Sequence, residues 1–282
     1  MTATLKPPGT LHTFPDVVQR TDPWYQQRCG LITASAIGKL ITVRHLTAIE
    51  YACPDCGAEA LQPCLSKTRD RHPIKTVHSE RTERAASERD SSPLVFETAR
   101  GDEARGIVAI AAAERITGFV DPTFVSYDMQ RGVDDEPFAV EAYSEHHAPV
   151  AECGFMVRKW PGGFSLGYSP DGLVGLDGLI EVKSRRGKTQ VETVLSGDVP
   201  AENMAQLQAG LFVSGRAWID YVSYAAGMHL WKKRITPDPA WFDAIRTAVE
   251  DFEAAVTATV DAYLKAVEGL PLTERPLLDM VI

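Results

Sequence analysis

The chain has 282 residues, of which 44% are hydrophobic, so it can bury one large core or a core plus a small module. No apolar run approaches the ~20 residues of a membrane span, and the first ten residues lack the apolar core of a signal peptide. Five cysteines, an odd number, argue against a disulfide framework and favour a reducing cytoplasm. The net charge of −9 disfavours a simple nucleic-acid binder, although basic side chains can still be concentrated locally.

The first helical region begins at Asp22-Pro23, an N-cap followed by proline, and ends near Gly30. A second short helix follows, capped by Thr33 or Ser35. The free N–H groups at its start, with Arg28 nearby, suit a phosphate group. By itself, however, Arg28 is more simply explained as a surface helix residue.

Residues 50–90 are poor in large apolar side chains and contain a Cys-x2-Cys knuckle, which predicts an inserted zinc module. The predicted ligands are Cys53, Cys56, Cys64 and His78, with His72 as the alternative fourth ligand. Three thiolates and an imidazole make a tetrahedral site, and the metal replaces a core that so short a segment cannot build. The competing interpretation is a reduced, metal-free loop with incidental cysteines.

From Lys67 to Arg89 the same segment has seven Lys or Arg against four acidic residues. Beside a zinc knuckle, such a stretch suits contacts with a phosphate backbone, although a charge run is more commonly a solvated face. The module resembles the small Cys-x2-Cys…Cys…His fingers of actinobacteriophage-type proteins.

Ser92-Pro93 is predicted to open a helix that runs to Thr117-Gly118, where glycine is expected just after the last turn. Residues 119–163 are predicted to form strands and loops. His146-His147 is interpreted as a surface loop, because no carboxylate or cysteine at metal-ligand spacing accompanies it.

The stretch 164–183 contains a short strand, a Ser-Pro-Asp-Gly turn and two strands joined by Asp177-Gly178. Alternation places apolar side chains on a core face and Glu181 and Lys183 on the other face, which Asp171 at the start of the hairpin can reach. Two carboxylates and a lysine at a sheet edge suit a hard divalent cation with an activated water. For an isolated Glu-x-Lys, a solvated ion pair is the commoner explanation.

A helix is predicted over residues 201–213, with Gln206 off its apolar stripe. A strand over 216–225 and its hairpin partner follow, and Asp238-Pro239 opens a long helix whose apolar stripe is core or a subunit contact. The basic segment 184–188 lies beside the proposed metal site, where it either meets a phosphate backbone or faces solvent.

Together these motifs resemble the PD-(D/E)xK nucleases and, more narrowly, the family of phage lambda exonuclease and YqaJ-type viral recombinases. The resemblance covers most of residues 22–225 outside the insertion. Its four motifs, in the family's order, are Trp24-Tyr-Gln-Gln-Arg28-Cys-Gly30-Leu-Ile-Thr-Ala-Ser35, a helix ending in Thr117-Gly118, Ser169-Pro-Asp171-Gly with Glu181-Val-Lys183, and Asn203-Met-Ala-Gln206-Leu-Gln208. The implied fold is α/β of restriction-endonuclease type, a central mixed sheet flanked by helices, formed by residues 1–49 and 91–282, with the zinc module 50–90 inserted.

The resemblance also implies residue roles. Asp171, Glu181 and the Val182 carbonyl would bind Mg²⁺ or Mn²⁺, Lys183 and Gln206 would position and activate a water, and Arg28 and Ser35 would hold the 5′-phosphate of a DNA end. Family members usually carry another metal-facing Glu on a helix, four residues after a Gly, but four residues after Gly101 stands Arg105. Glu103 is the predicted replacement, because it lies about one turn from the position found by counting back from Thr117-Gly118.

The implied activity is a Mg²⁺-dependent 5′-to-3′ exonuclease that acts on double-stranded DNA ends and leaves 3′ single strands for phage-type recombination. The family adds a single-strand annealing protein and a ring-shaped homotrimer as expected partners, with no membrane, and a phage-encoded enzyme would work in the host cytoplasm. The alternatives are another PD-(D/E)xK endonuclease or repair nuclease, and a non-catalytic zinc-containing DNA-binding protein, which the departure at Arg105 keeps open.

Overall fold

The computed structural model describes residues 9–122 and 124–275. Its strands are β1 (Thr10–Phe14), β2 (Ile32–Thr33), β3 (Ile41–Arg44), β4 (Val95–Thr98), β5 (Phe155–Lys159), β6 (Ser165–Tyr168), β7 (Gly172–Val174), β8 (Gly178–Ser184), β9 (Trp218–Tyr224) and β10 (Trp231–Ile235). Its α-helices are α1 (Asp22–Arg28), α2 (Ala34–Ile37), α3 (Ser79–Ser87), α4 (Asp102–Thr117), α5 (Tyr127–His146), α6 (Gly187–Ser196), α7 (Ala201–Ser214) and α8 (Pro239–Ala266). Two compact units result, one formed by residues 41–99 and the other by the segments before and after it. Within the described ranges, no helix is long and apolar enough to cross a membrane.

The larger unit contains two mixed four-stranded sheets. Their strand orders are β1-β5-β6-β2 and β10-β9-β8-β7, and an isolated bridge between Ala151 and Leu173 adds a further pairing. Each sheet has one parallel pair, β2 with β6 and β8 with β9, and its other pairs are antiparallel. The predicted mixed α/β fold with flanking helices is thereby confirmed.

The side chains of β8 alternate between the two faces of the strand, and each face contacts a different helix. Ile180 and Val182 are buried on one face, in a cluster with Ala139 and Tyr143 of α5. On the other face, Glu181 and Lys183 contact Gln206 of α7. Gly210 lets α7 approach the neighbouring strand β6 closely, since a Cβ added there would lie 2.8 Å from the ring of Tyr168.

Residues 119–163 differ most from the prediction, because they contain the 20-residue helix α5 rather than only strands and loops. The Ser126 hydroxyl caps this helix by accepting a hydrogen bond from the Met129 N–H at 3.2 Å. Tertiary packing then buries Ala139 and Tyr143 one turn apart, despite a proline inside the helix. Helix α6 is a second element that the sequence pattern missed.

The predicted start of the next helix, at Ser92-Pro93, is also wrong. β4 follows this dipeptide, and α4 begins only after Gly101, although it ends at Gly118 with φ of 64° as expected. The N-cap of α1 is Thr21 rather than Asp22. The predicted helix 201–213, the hairpin after it and the long terminal helix agree with α7, β9–β10 and α8.

The smaller unit, residues 41–99, contains the β3–β4 hairpin and α3. Its core is small, consisting of Cys53, Ala58 and Cys64 with partly buried Cys56 and Ile74 packed against them. A core made largely of cysteines is too small to hold such a unit without a further cross-link. The division into domains at 50–90 stays a prediction.

Candidate active site and metal centre

The hairpin β7–β8 places the predicted acidic residues in one cluster. Its loop comprises the three residues 175–177, since Val174 pairs with Gly178, so the predicted two-residue turn Asp177-Gly178 is wrong in both length and position. The last pair of this hairpin is Gly172 with Ile180. Just beyond it, the Asp171 carboxylate accepts a hydrogen bond from the Val182 N–H at 2.7 Å. The backbone of β8 therefore fixes the position of Asp171.

Glu181 is the centre of the cluster and is only 2% exposed. Its Oε1 accepts hydrogen bonds from Lys183 Nζ at 2.8 Å and from Gln206 Nε2 at 2.5 Å. Its Oε2 accepts one from the Tyr168 hydroxyl at 3.2 Å. Three donors from three different elements thus hold a carboxylate that is almost entirely removed from water.

Gln206 of α7 connects the acid to the lysine. Its Oε1 accepts a hydrogen bond from Lys183 Nζ at 3.0 Å, while its amide nitrogen donates to Glu181. Gln208, two residues on, has a different role: it donates to the Thr236 carbonyl and accepts from the Asp238 N–H. The structure therefore brings Asp171, Glu181, Lys183 and Gln206 together, and it gives Gln208 a place in the fold.

The cluster has an excess of negative charge. Burial and the neighbouring Glu181 raise the pKa of Asp171 well above its usual range, and the carboxylate of Glu136 raises it further. Burial alone would lower the pKa of Lys183, but the Glu181 and Asp171 carboxylates outweigh it and raise the pKa. Buried carboxylates in excess of one ammonium favour an added cation, and their oxygen atoms are the ligands that Mg²⁺ or Mn²⁺ prefers. The residues present therefore fit a divalent cation.

Glu103 does not belong to this cluster in the described contacts. Its side chain is 66% exposed and forms an ion pair with Lys39 Nζ at 2.9 Å. Arg105, at the expected family position, donates to the Arg100 carbonyl and pairs with Asp102, so the start of α4 is a solvated, self-paired turn. The prediction that Glu103 faces the metal has no support from these contacts.

Glu136 on α5 is a further acid near Asp171 that the sequence interpretation did not include. It lies close enough for its charge to raise the pKa of Asp171, and it accepts a hydrogen bond from Arg20 at 3.1 Å. It also stands four residues after Gly132 on a helix, which is the spacing expected of the metal-facing Glu in the resembling family. The sequence carries this signal, but the interpretation of residues 119–163 as strands and loops hides it.

Trp24 connects Arg28 to the Ser-Pro-Asp-Gly turn. The guanidinium stacks 4.0 Å over the Trp24 ring, whose Nε1 donates to Ser169 Oγ at 2.9 Å. Arg28 also donates to Thr33 Oγ1 at 3.4 Å, which is 3.2 Å from Ser35 Oγ. Burial lowers the pKa of Arg28 to about 10, so the group stays cationic at neutral pH.

The second predicted helix is only four residues long, although it begins after Thr33 as expected. So short a helix has little dipole, and any phosphate held here would depend on the Arg28 and Ser35 side chains instead.

In the smaller unit, Cys53, Cys56, Cys64 and His78 converge, with ligand atoms that all lie within 4.8 Å of one another. His78 Nδ1 is 3.5 Å from Cys53 Sγ and 3.2 Å from the Asp55 carboxylate. The Leu65 N–H donates to Cys56 Sγ and lowers the pKa of that thiol to about 6, while burial raises the pKa of Cys53. His72, the alternative ligand, lies apart in an exposed pair with Asp70. The donor set has the composition of a closed Cys3His zinc site.

Most of the predicted basic surface has internal partners. Within 67–89, Lys67 pairs with Asp55, Arg71 and Arg81 donate to backbone carbonyls, and Arg84 pairs with Glu88. After β8, Arg185 donates to Asn203 and Tyr221, and Arg186 pairs with Asp128. These contacts give the basic side chains structural roles, so composition alone does not establish a DNA-binding face.

Comparison with known proteins gives a consistent result. Residues 23–217 match the family model of the YqaJ-like viral recombinase domain. An alkaline exonuclease (LHK-Exo) from Laribacter hongkongensis has a similar structure, with 25% identity and a TM-score of 0.60 over 89% of this chain and 100% of that one. Its complex with dAMP matches with the same values. A comparison with curated proteins gave no significant match.

Proposed function

This chain belongs to the YqaJ-like viral recombinase family and is a nuclease, and we propose that it digests linear duplex DNA from the 5′ end with a divalent metal ion. The family match spans most of the chain, and the matched alkaline exonuclease is covered over its full length. Digestion with this polarity leaves a 3′ single strand, the product that phage-type recombination uses.

The observation that carries the proposal is the cluster of Asp171, Glu181, Lys183 and Gln206, in which Glu181 is buried and the other three are partly buried. Carboxylates in such numbers are costly to bury unless a cation compensates them. A surface Glu–Lys pair would need neither the burial of Glu181 nor the three donors that hold it. The arrangement therefore favours a catalytic site over the solvated hairpin.

The residues would divide the work as follows. Asp171 and Glu181 would hold Mg²⁺ or Mn²⁺ with the Val182 carbonyl, and Glu136 rather than Glu103 would be the third acid. When bound, the ion supplies charge that polarises a water and stabilises the leaving 3′-oxygen. The Lys183 ammonium is fixed by Glu181 and Gln206 at 2.8 and 3.0 Å, and its remaining N–H would donate to the attacking water or the phosphate.

The 5′ polarity rests on Arg28 and Ser35. Trp24 holds the Arg28 guanidinium by stacking and binds Ser169 in the turn that leads to Asp171. A terminal phosphate on Arg28 would therefore be placed at a fixed offset from the metal-binding acids. The same offset would set which phosphodiester bond is cut.

Zn²⁺ is the proposed occupant of the Cys3His cluster, where it would hold the smaller unit together. The annealing protein, the homotrimer and the cytoplasmic location stay predictions from the family resemblance. The non-catalytic alternative rests on Arg105 at the position of the family's third acid, and the proximity of Glu136 to Asp171 supports the catalytic proposal instead.

The test is digestion of linear, 5′-phosphorylated duplex DNA with Mg²⁺ by the wild type and by Lys183→Ala. Lys265→Ala is the matched control, because Lys265 is exposed in the last turn of α8. We expect mononucleotide release by the wild type and the control and almost none by Lys183→Ala. No release by the wild type while DNA binding is retained would refute the exonuclease, and cleavage of circular DNA would indicate an endonuclease.

A further inference from the structure

Arg81 is a fully buried charge in the smaller unit, with 0% exposure. It lies on α3, three residues after the ligand His78. Arginine is among the residues least often buried, and it costs much free energy to bury one without a partner. The position therefore requires an explanation from its contacts.

Every nitrogen of the guanidinium has an acceptor. Nε donates to the Tyr51 carbonyl at 2.8 Å. Nη2 donates to the carbonyls of Ile49 and Glu59 at 2.8 and 2.9 Å. Nη1 donates to the Gln62 carbonyl at 2.8 Å and to Cys64 Sγ at 3.3 Å. The five contacts use all five N–H donors of an arginine and tie together the segments around the cysteine ligands.

Only one of the five acceptors around the Arg81 guanidinium can carry a full negative charge. Four acceptors are neutral backbone carbonyls, and none of the five is a carboxylate. The Cys64 sulfur is the one acceptor among them that can carry a full negative charge, which it does when it ligates a metal. A Zn²⁺ ion with three thiolates and a neutral imidazole has a net charge of about −1, so one guanidinium balances it.

We propose that Arg81 is the buried counter-charge of the Cys3His metal centre and donates a hydrogen bond to its Cys64 thiolate. Arg81 is a positioning residue: it neutralises the metal–thiolate site and fixes the loops that present the ligands. The inference rests on the assignment of zinc to this cluster. It is independent of the nuclease activity, since all of its contacts lie within residues 41–99.

The experiment replaces Zn²⁺ with Co²⁺ in the full-length protein and records the thiolate-to-cobalt charge-transfer band. Arg81→Lys keeps the charge but lacks the planar five-donor fork, and Arg81→Met loses both. Arg89→Met is the control, because Arg89 is an exposed arginine just after α3. Zinc affinity is measured in parallel by competition with a chelator.

We expect the charge-transfer band to move to lower energy in Arg81→Lys and further in Arg81→Met, since the thiolate loses a donor and then a positive neighbour. Zinc affinity should fall about 10- to 100-fold in Arg81→Met, as is usual when a group bonded to a metal ligand is lost, and stay unchanged in Arg89→Met. Alkylation of Cys64 in the zinc-loaded protein should be faster in Arg81→Lys than in the wild type.

Two failures can be told apart. A wild type that takes up neither Co²⁺ nor Zn²⁺ would refute the zinc assignment itself. A wild type that binds metal, with an Arg81→Lys variant of lower stability but an unchanged band and unchanged Cys64 reactivity, would show that Arg81 is only a scaffold. If Arg81→Met does not fold, Arg81→Lys alone decides between these outcomes.

Discussion

Replacing Glu136 by Gln tests whether α5 supplies the third acid of the site. Few carboxylate oxygen positions remain for a metal ion, because Glu181 already accepts three hydrogen bonds and Asp171 accepts one from Val182. Losing one more carboxylate would therefore weaken the hold on a divalent cation substantially. We expect the half-saturating Mg²⁺ concentration to rise about 10- to 100-fold, which corresponds to about 1.4 to 2.7 kcal/mol.

Glu103→Gln is the matched comparison. Glu103 and Lys39 form an exposed pair, with side chains 66% and 52% exposed, and such pairs contribute only about 0–1 kcal/mol. The Mg²⁺ dependence of Glu103→Gln should therefore stay close to that of the wild type.

The assay is the initial rate of nucleotide release from linear duplex DNA as Mg²⁺ is varied, with thermal unfolding as the check that each variant is folded. A Glu136→Gln enzyme with the wild-type Mg²⁺ dependence would refute the role of α5. A larger rise in the half-saturating Mg²⁺ concentration in Glu103→Gln than in Glu136→Gln would indicate that the third acid is Glu103 of α4.

Three further predictions follow from other contacts. Gln206→Leu should lower kcat about 100-fold with little change in DNA affinity, because Gln206 holds Lys183 and Glu181; equal losses in kcat and affinity would contradict this. Arg28→Met should abolish the preference for 5′-phosphorylated over 5′-hydroxyl ends in parallel digests, whereas a retained preference would exclude Arg28 as the phosphate ligand. Asp220→Asn should cost about 3 kcal/mol in urea unfolding at pH 7, because Asp220 is fully buried and accepts from Tyr143, Lys232 and Arg234. Burial alone would raise the pKa of Asp220, but these donors lower it overall. The stabilisation of the folded protein by the Asp220 carboxylate is therefore present above the unfolded pKa of about 4 and is lost as the pH falls through the folded pKa. A difference in unfolding free energy between variant and wild type that does not shrink in acid would contradict this.

The sequence by itself determined the chemistry that depends on short spacings. Alternation along a strand puts Glu181 and Lys183 on one face whatever the rest of the fold does, and the turn residues before β7 place Asp171 beside them. The cysteine spacing likewise identified the three thiols and His78 that converge in the smaller unit. These features are local, so their physical causes are visible in a few consecutive residues.

The tertiary structure alone decided which distant groups join those local features. Helix α5 has a modest apolar stripe and an internal proline, so burial of Ala139 and Tyr143 against β8 reveals it as a helix and brings Glu136 toward Asp171. Composition also suggested a basic DNA-binding stretch, but Arg81 lies in the centre of its unit and Arg185 binds Tyr221. Charge can be counted from the sequence, whereas its direction and its partners are set by packing between segments that are far apart in the chain.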